Sequence, residues 1–149
     1  MDKPFQRKGA ESNTRVGNDF ESMVRGYFQS SGLSLNPNYS VQIGIIDKKA
    51  HKFDFGNDQQ KVIIECKAHR WTEGGNVPSA KMTTWNQAMY YFFVVTSGYQ
   101  KILCVLKDYS QKKGETLGEY YLRTNYHLIP KDVEIMEFDE KSGAVIRLK

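Results

Sequence analysis

The hydrophobic period of the chain changes several times, and each change marks an element. Residues 1–13 (Met1 to Asn13) are polar and aperiodic and read as a loose tail. Apolar residues then fall at Val16, Phe20, Met23, Val24, Tyr27 and Phe28, the three- and four-residue spacing of an amphipathic helix. Ser30-Ser31-Gly32 ends it, and Glu21 stands at the flank of the apolar stripe, where a side chain reaches the border between helix and sheet.

From Tyr39 to Lys67 the period is two. Val41, Ile43 and Ile45 predict a first strand, Asp47 to Ala50 a polar turn, and His51 to Phe55 a second strand. On that second strand, alternation puts Phe53 and Phe55 on one face and Lys52 and Asp54 on the other. Gly56-Asn57-Asp58 is a turn signal, and Lys61 to Lys67 makes a third strand, so the three form an antiparallel meander.

A glycine-containing loop, Thr72 to Pro78, leads to Ser79, a natural N-cap, and to a helix with Met82, Trp85, Met89 and Phe92 on its packed face. The run Ile102 to Leu106 has no polar alternation, as suits a strand buried on both faces. A third helix spans about Thr116 to Asn125 and is stopped by Pro130; a hairpin follows, Val133 to Phe138 and Ala144 to Leu148, turning through Lys141-Ser142-Gly143. This order predicts an α/β (α+β) fold, a central mixed sheet flanked by helices with a C-terminal helix and hairpin.

Composition narrows the picture only a little. A chain of 149 residues, 40% hydrophobic and 26% charged, is expected to form a single globular domain over 1–149 rather than a disordered chain. No apolar run approaches the ~18 residues of a membrane helix, and Met1 to Lys8 lacks the apolar segment of a secretory signal. Cys66 and Cys104 both lie in strand-like apolar runs, so two reduced thiols and a cytoplasmic location are expected. The net charge of +4 tolerates a polyanionic partner without demanding one.

Candidate chemistry sits on the second and third strands. Glu65 and Lys67 are two apart and share a face, while Cys66 turns the other way. If the turn after Phe55 brings the strands together, Asp54, Glu65 and Lys67 meet. Oxygen ligands select a hard cation, and Mg²⁺ takes one or two carboxylates and keeps several waters; the main-chain carbonyl of Cys66 is a further candidate ligand. Such an ion assists phosphodiester hydrolysis, with Lys67 orienting or deprotonating the attacking water or stabilising the transition state.

An acid-x-Lys triplet means little by itself, since chance supplies about two in a chain of this composition. Asp47-Lys48-Lys49 and Asp139-Glu140-Lys141 lie in polar, turn-like segments; only Glu65-Cys66-Lys67 ends an apolar strand preceded by another carboxylate-bearing strand. The competing interpretation is a surface ion pair at a sheet edge.

From Gly17 to Leu106 the arrangement resembles the PD-(D/E)XK nuclease superfamily, the restriction-endonuclease-like fold. The resemblance rests on Asn18-Asp19-Phe20-Glu21 in the leading helix, Asp54, Glu65-Cys66-Lys67, the following helix and the buried strand. It implies that Asp54 and Glu65 hold Mg²⁺, with Mn²⁺ a substitute, that Lys67 activates water, and that Glu21 joins the metal site. It also makes Gln87, on the second helix, a supporting residue. Phe53 stands where the family's eponymous proline would be.

Around this site, Lys52, Arg70 and Lys81 are candidate contacts to a phosphate backbone, and Trp71 is a candidate to stack on a base or to pack under the glycine loop. Gly74-Gly75-Asn76 lacks the spacing and ending of a nucleoside-triphosphate loop, so no nucleotide cofactor is expected. His51 and His69 flank the site without zinc-ligand spacing. The expectation is a Mg²⁺-dependent endonuclease acting on double-stranded DNA, most like a small type II restriction endonuclease. A homodimer would match the two-fold symmetry of the duplex, and no membrane partner is expected. Alternatives are a Holliday-junction resolvase, a toxin or RNA-cutting nuclease of the same fold, and a catalytically inactive nucleic-acid-binding module.

Overall fold

The structure, a computed structural model, describes residues 10–95 and 98–149, with side chains from Arg15 onward. It is an α+β arrangement of three helices around a mixed six-stranded sheet. In chain order the elements are α1 (Ala10–Ser30), β1 (Asn36–Ile43), β2 (Lys49–Asn57), β3 (Val62–Lys67), α2 (Ser79–Phe93) and β4 (Gln100–Leu106). A small hairpin, β5 (Tyr109–Ser110) and β6 (Glu115–Thr116), precedes α3 (Leu117–Asn125), β7 (Val133–Phe138) and β8 (Val145–Arg147). The sheet order is β1-β2-β3-β4-β7-β8; β3, β4 and β7 run parallel, and the remaining pairs are antiparallel. No helix among the described residues is long and apolar enough to cross a membrane.

The sheet separates two apolar layers. On one side α1 places Phe20, Val24 and Phe28 against Phe55, Val62, Ile64, Ile102, Cys104 and Leu106. On the other, Met82, Trp85, Met89 and Phe92 of α2, with Leu117 and Tyr121 of α3, cover Val41, Phe53, Ile63, Leu103 and Val105. Alternate residues of β4 thus enter opposite layers, which is why its sequence carries no polar alternation.

Several boundaries depart from the sequence expectations. Residues 1–9 of the expected tail, and Thr96 and Ser97, lie outside the described residues, but Ala10 to Asn13 are helical, extending an amphipathic helix through good helix formers such as Ala10 and Glu11. The first strand stops at Ile43, because Gly44 has φ +152 and a Cβ there would meet the Asp47 carbonyl oxygen at 2.0 Å. Ile45 and Ile46 are consequently exposed, at 72% and 84%. Gly56 belongs to β2, not to the turn: a Cβ on it would run into the Tyr39 ring at 2.2 Å, so glycine permits the close approach. Ser79 is the first helical residue of α2 rather than its cap; Pro78 occupies that position without a side-chain cap bond. The start of α3 is capped as a box, with the Thr116 hydroxyl and Glu119 carboxylate serving each other's backbone N–H groups. The helix gives way to a 3₁₀ turn at Tyr126 to Leu128, ahead of Pro130. The β5–β6 hairpin had no expectation, because two-residue strands leave no period to read.

One correction concerns the site. Phe53 and Phe55 do not share a face. Phe53 stacks on Phe92 of α2, with centroids 5.4 Å apart, whereas Phe55 packs in the α1 layer. Strand alternation therefore breaks at Asp54. The β1–β2 register pairs Pro37 with Phe55 and Tyr39 with Phe53, and between them Asn38 adopts a left-handed φ of +52.

Candidate functional site

Strands β2 and β3 pair over only three positions, Asn57↔Val62, Gly56↔Ile63 and Phe55↔Ile64. Beyond Phe55 and Ile64 the ladder opens into a fork, and side chains take over the bonding. The N–H of Asp54 donates to Glu65 Oε1 at 3.0 Å, and the N–H of Cys66 donates to Asp54 Oδ2 at 2.7 Å. These reciprocal bonds anchor one oxygen of each carboxylate on the backbone of the opposite strand and leave the other free. In an extended strand the N–H and C=O of a residue point to the same side, so the Cys66 carbonyl opens toward the fork as well.

The electrostatics show how close the charges are. Burial raises Glu65 to a pKa of about 8; repulsion from Asp54 and Glu21 adds to this, against the pull of Lys67 and the Asp54 N–H. Burial also lifts Asp54 above the usual carboxylate value, opposed by the Cys66 N–H, Lys67 and His51. Glu21, reaching in from α1, is raised by burial and then by Asp54. Three partly buried carboxylates beside one lysine repel one another, and burial with that repulsion favours a proton on Glu65 near neutral pH. The cluster is not a closed cage: no group of three or more His, Cys, Asp and Glu placed to hold a metal ion occurs among the described residues. Asp54, Glu65 and the Cys66 carbonyl are oxygen groups that could hold Mg²⁺, which takes one or two carboxylates and keeps several waters.

Asp54, Glu65, Lys67 and Glu21 are therefore brought together. The Cys66 thiol turns away, into the α1 layer beside Cys104, its partner across the parallel β3–β4 pair. Burial, followed by contact with the Cys104 thiol, pushes it well above the ordinary cysteine value, which keeps it a thiol rather than a soft metal ligand.

Gln87 does not join the fork. It is exposed, and at 100° per residue it points away from the buried stripe of Met82, Trp85, Ala88, Met89 and Phe92. Trp71 is not free to stack on a base either. At 7% exposure it packs against Tyr120, and both its backbone N–H and its indole N–H donate to Asp108; packing, the other expectation for it, is what occurs. Arg70 is drawn toward Asp108 and Glu140, which offsets its charge, while Lys52 and Lys81 are exposed. The loop of Gly74 and Gly75 borders a cavity of about 410 Å³ shared with Tyr109 to Lys112.

Two histidines that carried no ligand pattern sit beside the fork on its α2 side. His51 stacks on Tyr91 with centroids 4.0 Å apart, and its buried Nε2 has no hydrogen-bond partner among the described residues; burial lowers its pKa, with Asp54 and Lys67 pulling in opposite directions. His69 Nδ1 accepts a hydrogen bond from Trp85 Nε1 at 2.8 Å. Continuing the alternation of Glu65 and Lys67 by one step reaches His69, and that was the available signal. Compared with known proteins, the chain matches no family model, and no curated protein or solved structure matches it significantly.

Proposed function

We propose that the protein is a Mg²⁺-dependent endonuclease that hydrolyses phosphodiester bonds in double-stranded DNA, built on a restriction-endonuclease-like version of its α+β fold. The observation that carries this reading is the fork itself: Asp54 and Glu65 are locked across two parting strands by reciprocal bonds to each other's backbone, with Lys67 and Glu21 beside them. Asp54, Glu65 and the Cys66 carbonyl would hold the ion, and Glu21 would support it from α1. When bound, a divalent ion neutralises charge developing on the phosphate and lowers the pKa of a coordinated water.

The chain's own residues do the rest. The backbone bonds to Asp54 and Glu65 keep both carboxylates oriented, so the site pays little reorganisation when substrate arrives. Lys67 presents an ammonium to the fork, where it orients the attacking water and stabilises the phosphate oxygens as their charge grows. Lys52 and Lys81 lie exposed, where a phosphate backbone can meet them. Cutting both strands calls for two copies related by a two-fold axis.

Purified protein incubated with supercoiled plasmid and Mg²⁺ is expected to nick and linearise it, and Glu65→Ala is expected to slow this by roughly 10²-fold or more. Cleavage at an undiminished rate in the variant, or wild-type protein inert on plasmid, cruciform and linear duplex alike, would overturn the proposal.

A further inference from the structure

We propose that His69 is a fixed, neutral hydrogen-bond donor which, with Lys67 and Lys81, forms a subsite for a backbone phosphate of the nucleic-acid substrate beside the fork. The inference rests on the nuclease reading for the identity of the substrate, but its geometry stands separately. Trp85 is wholly buried in the α2 layer, and its indole N–H donates to His69 Nδ1 at 2.8 Å, with the two rings near parallel at 25°. Because Nδ1 is the acceptor, the neutral ring carries its proton on Nε2. That nitrogen lies on the far side of the imidazole from Trp85 and therefore faces away from the α2 core.

The surroundings keep the ring in this state. Burial, then the ammonium groups of Lys67 and Lys81, lower its pKa to about 4. A histidine that stays neutral from pH 5 upward does not shuttle protons at working pH; it offers one N–H in one direction. Lys67 and Lys81 form no ion pair among the described residues. Lys81 stands one turn before Trp85 on α2 and Lys67 two residues before His69, so each ammonium belongs to a position neighbouring the Trp85–His69 pair, and such groups with an oriented N–H are complementary to a phosphate oxygen. Lys81 enters from α2 and Lys67 from β3, so the subsite spans the two elements that border the fork on this side.

The roles of the three donors differ measurably. A lysine on a phosphate releases a counterion and contributes about 0.9 to the slope of log affinity against log salt for duplex DNA. A neutral histidine contributes affinity without slope. The test is binding of a fluorescent 20-base-pair duplex, without divalent metal, across a salt series. His69→Ala is expected to weaken binding ~10-fold, the range of a hydrogen bond to a charged group, with unchanged salt slope. Lys81→Ala is expected to lower the slope by about 0.9. His69→Gln, whose amide can accept from Trp85 and donate outward, is expected to restore most of the affinity. In the wild type, ¹⁵N-histidine spectra should show the Nε2–H tautomer, with that proton shifting on addition of the duplex.

Affinity unchanged in His69→Ala, a salt slope that falls in that variant, an Nδ1–H tautomer, or failure of glutamine to rescue would each overturn the subsite. If His69→Ala does not fold, judged by its thermal melt, the tautomer measurement and His69→Gln decide. Duplex bound as expected but never cut in Mg²⁺ would sink the nuclease reading and leave the subsite standing. Plasmid cut normally by wild type, with His69→Ala equal to it in binding and rate, would sink only the subsite.

Discussion

The two edges of strand β3 differ sharply. Toward β4 it is sealed: six consecutive parallel pairs run from Val62↔Gln100 to Lys67↔Val105, and Leu103, Cys104 and Val105 are all fully buried. Toward β2 it pairs three times and then lets go. The same strand thus serves as a core strand on one side, while on the other Glu65 to Lys67 border the opened ladder. Where the ladder is complete, backbone polar groups satisfy one another. Where it opens, the N–H groups of Asp54 and Cys66 are freed to hold carboxylates, and like charges gather that a packed core could not tolerate.

Breaking each edge should therefore produce opposite signatures. The largest effect is expected on the open edge: Glu65→Ala or Lys67→Ala should lower the rate of plasmid cleavage by roughly 10²–10³-fold or more, as losing a group that stabilises developing charge does, with the thermal melt little lowered. On the sealed edge, Leu103→Ala should cost about 2–5 kcal/mol of stability in chemical denaturation, while the Mn²⁺ affinity of the folded fraction stays unchanged.

A third variant sharpens the contrast. Glu65 is raised in the folded protein from 4.5 to about 8, so the native state holds its proton more tightly than the unfolded chain does. The associated stability is complete below about pH 4.5 and is lost as pH rises through about 8. Metal-free Glu65→Gln should accordingly match the wild type at pH 4 and exceed it by about 1–3 kcal/mol at pH 9 in urea melts. The carboxylate proposed to hold the ion is, when ionised, a destabilising one. The smallest effect belongs to Gln87→Ala: on the outer face of α2 it should leave cleavage within about a factor of two of wild type.

How much of this was legible in the sequence follows the same division. The sealed edge was readable: an apolar run without alternation announced β4, and Met82, Trp85, Met89 and Phe92 announced the buried stripe of α2, because burial imposes period directly on residue type. The placement of Asp54 opposite Glu65 was readable in outline, from two strands and a turn. Its mechanism was not. Uniform alternation put Phe53 and Phe55 on one face, yet the strand shifts at Asp54 beside a left-handed Asn38, and a local irregularity of one residue leaves no periodic trace. Gln87 was placed by resemblance, and the phase of its own helix, set by Trp85 and Met89, directs it outward. The pairing of His69 with Trp85 joins residues 16 apart through a side-chain bond, which no spacing rule encodes.

The central claim, that the fork grips a hard divalent ion, is tested most directly by titrating Mn²⁺ into the metal-free protein at pH 8, followed calorimetrically and by electron paramagnetic resonance. The wild type is expected to show saturable binding with proton release, and that site is expected to be lost in both Asp54→Ala and Glu65→Ala while Gln87→Ala retains it. Absence of binding in the wild type, or equal binding by the Asp54 and Glu65 variants, would contradict it.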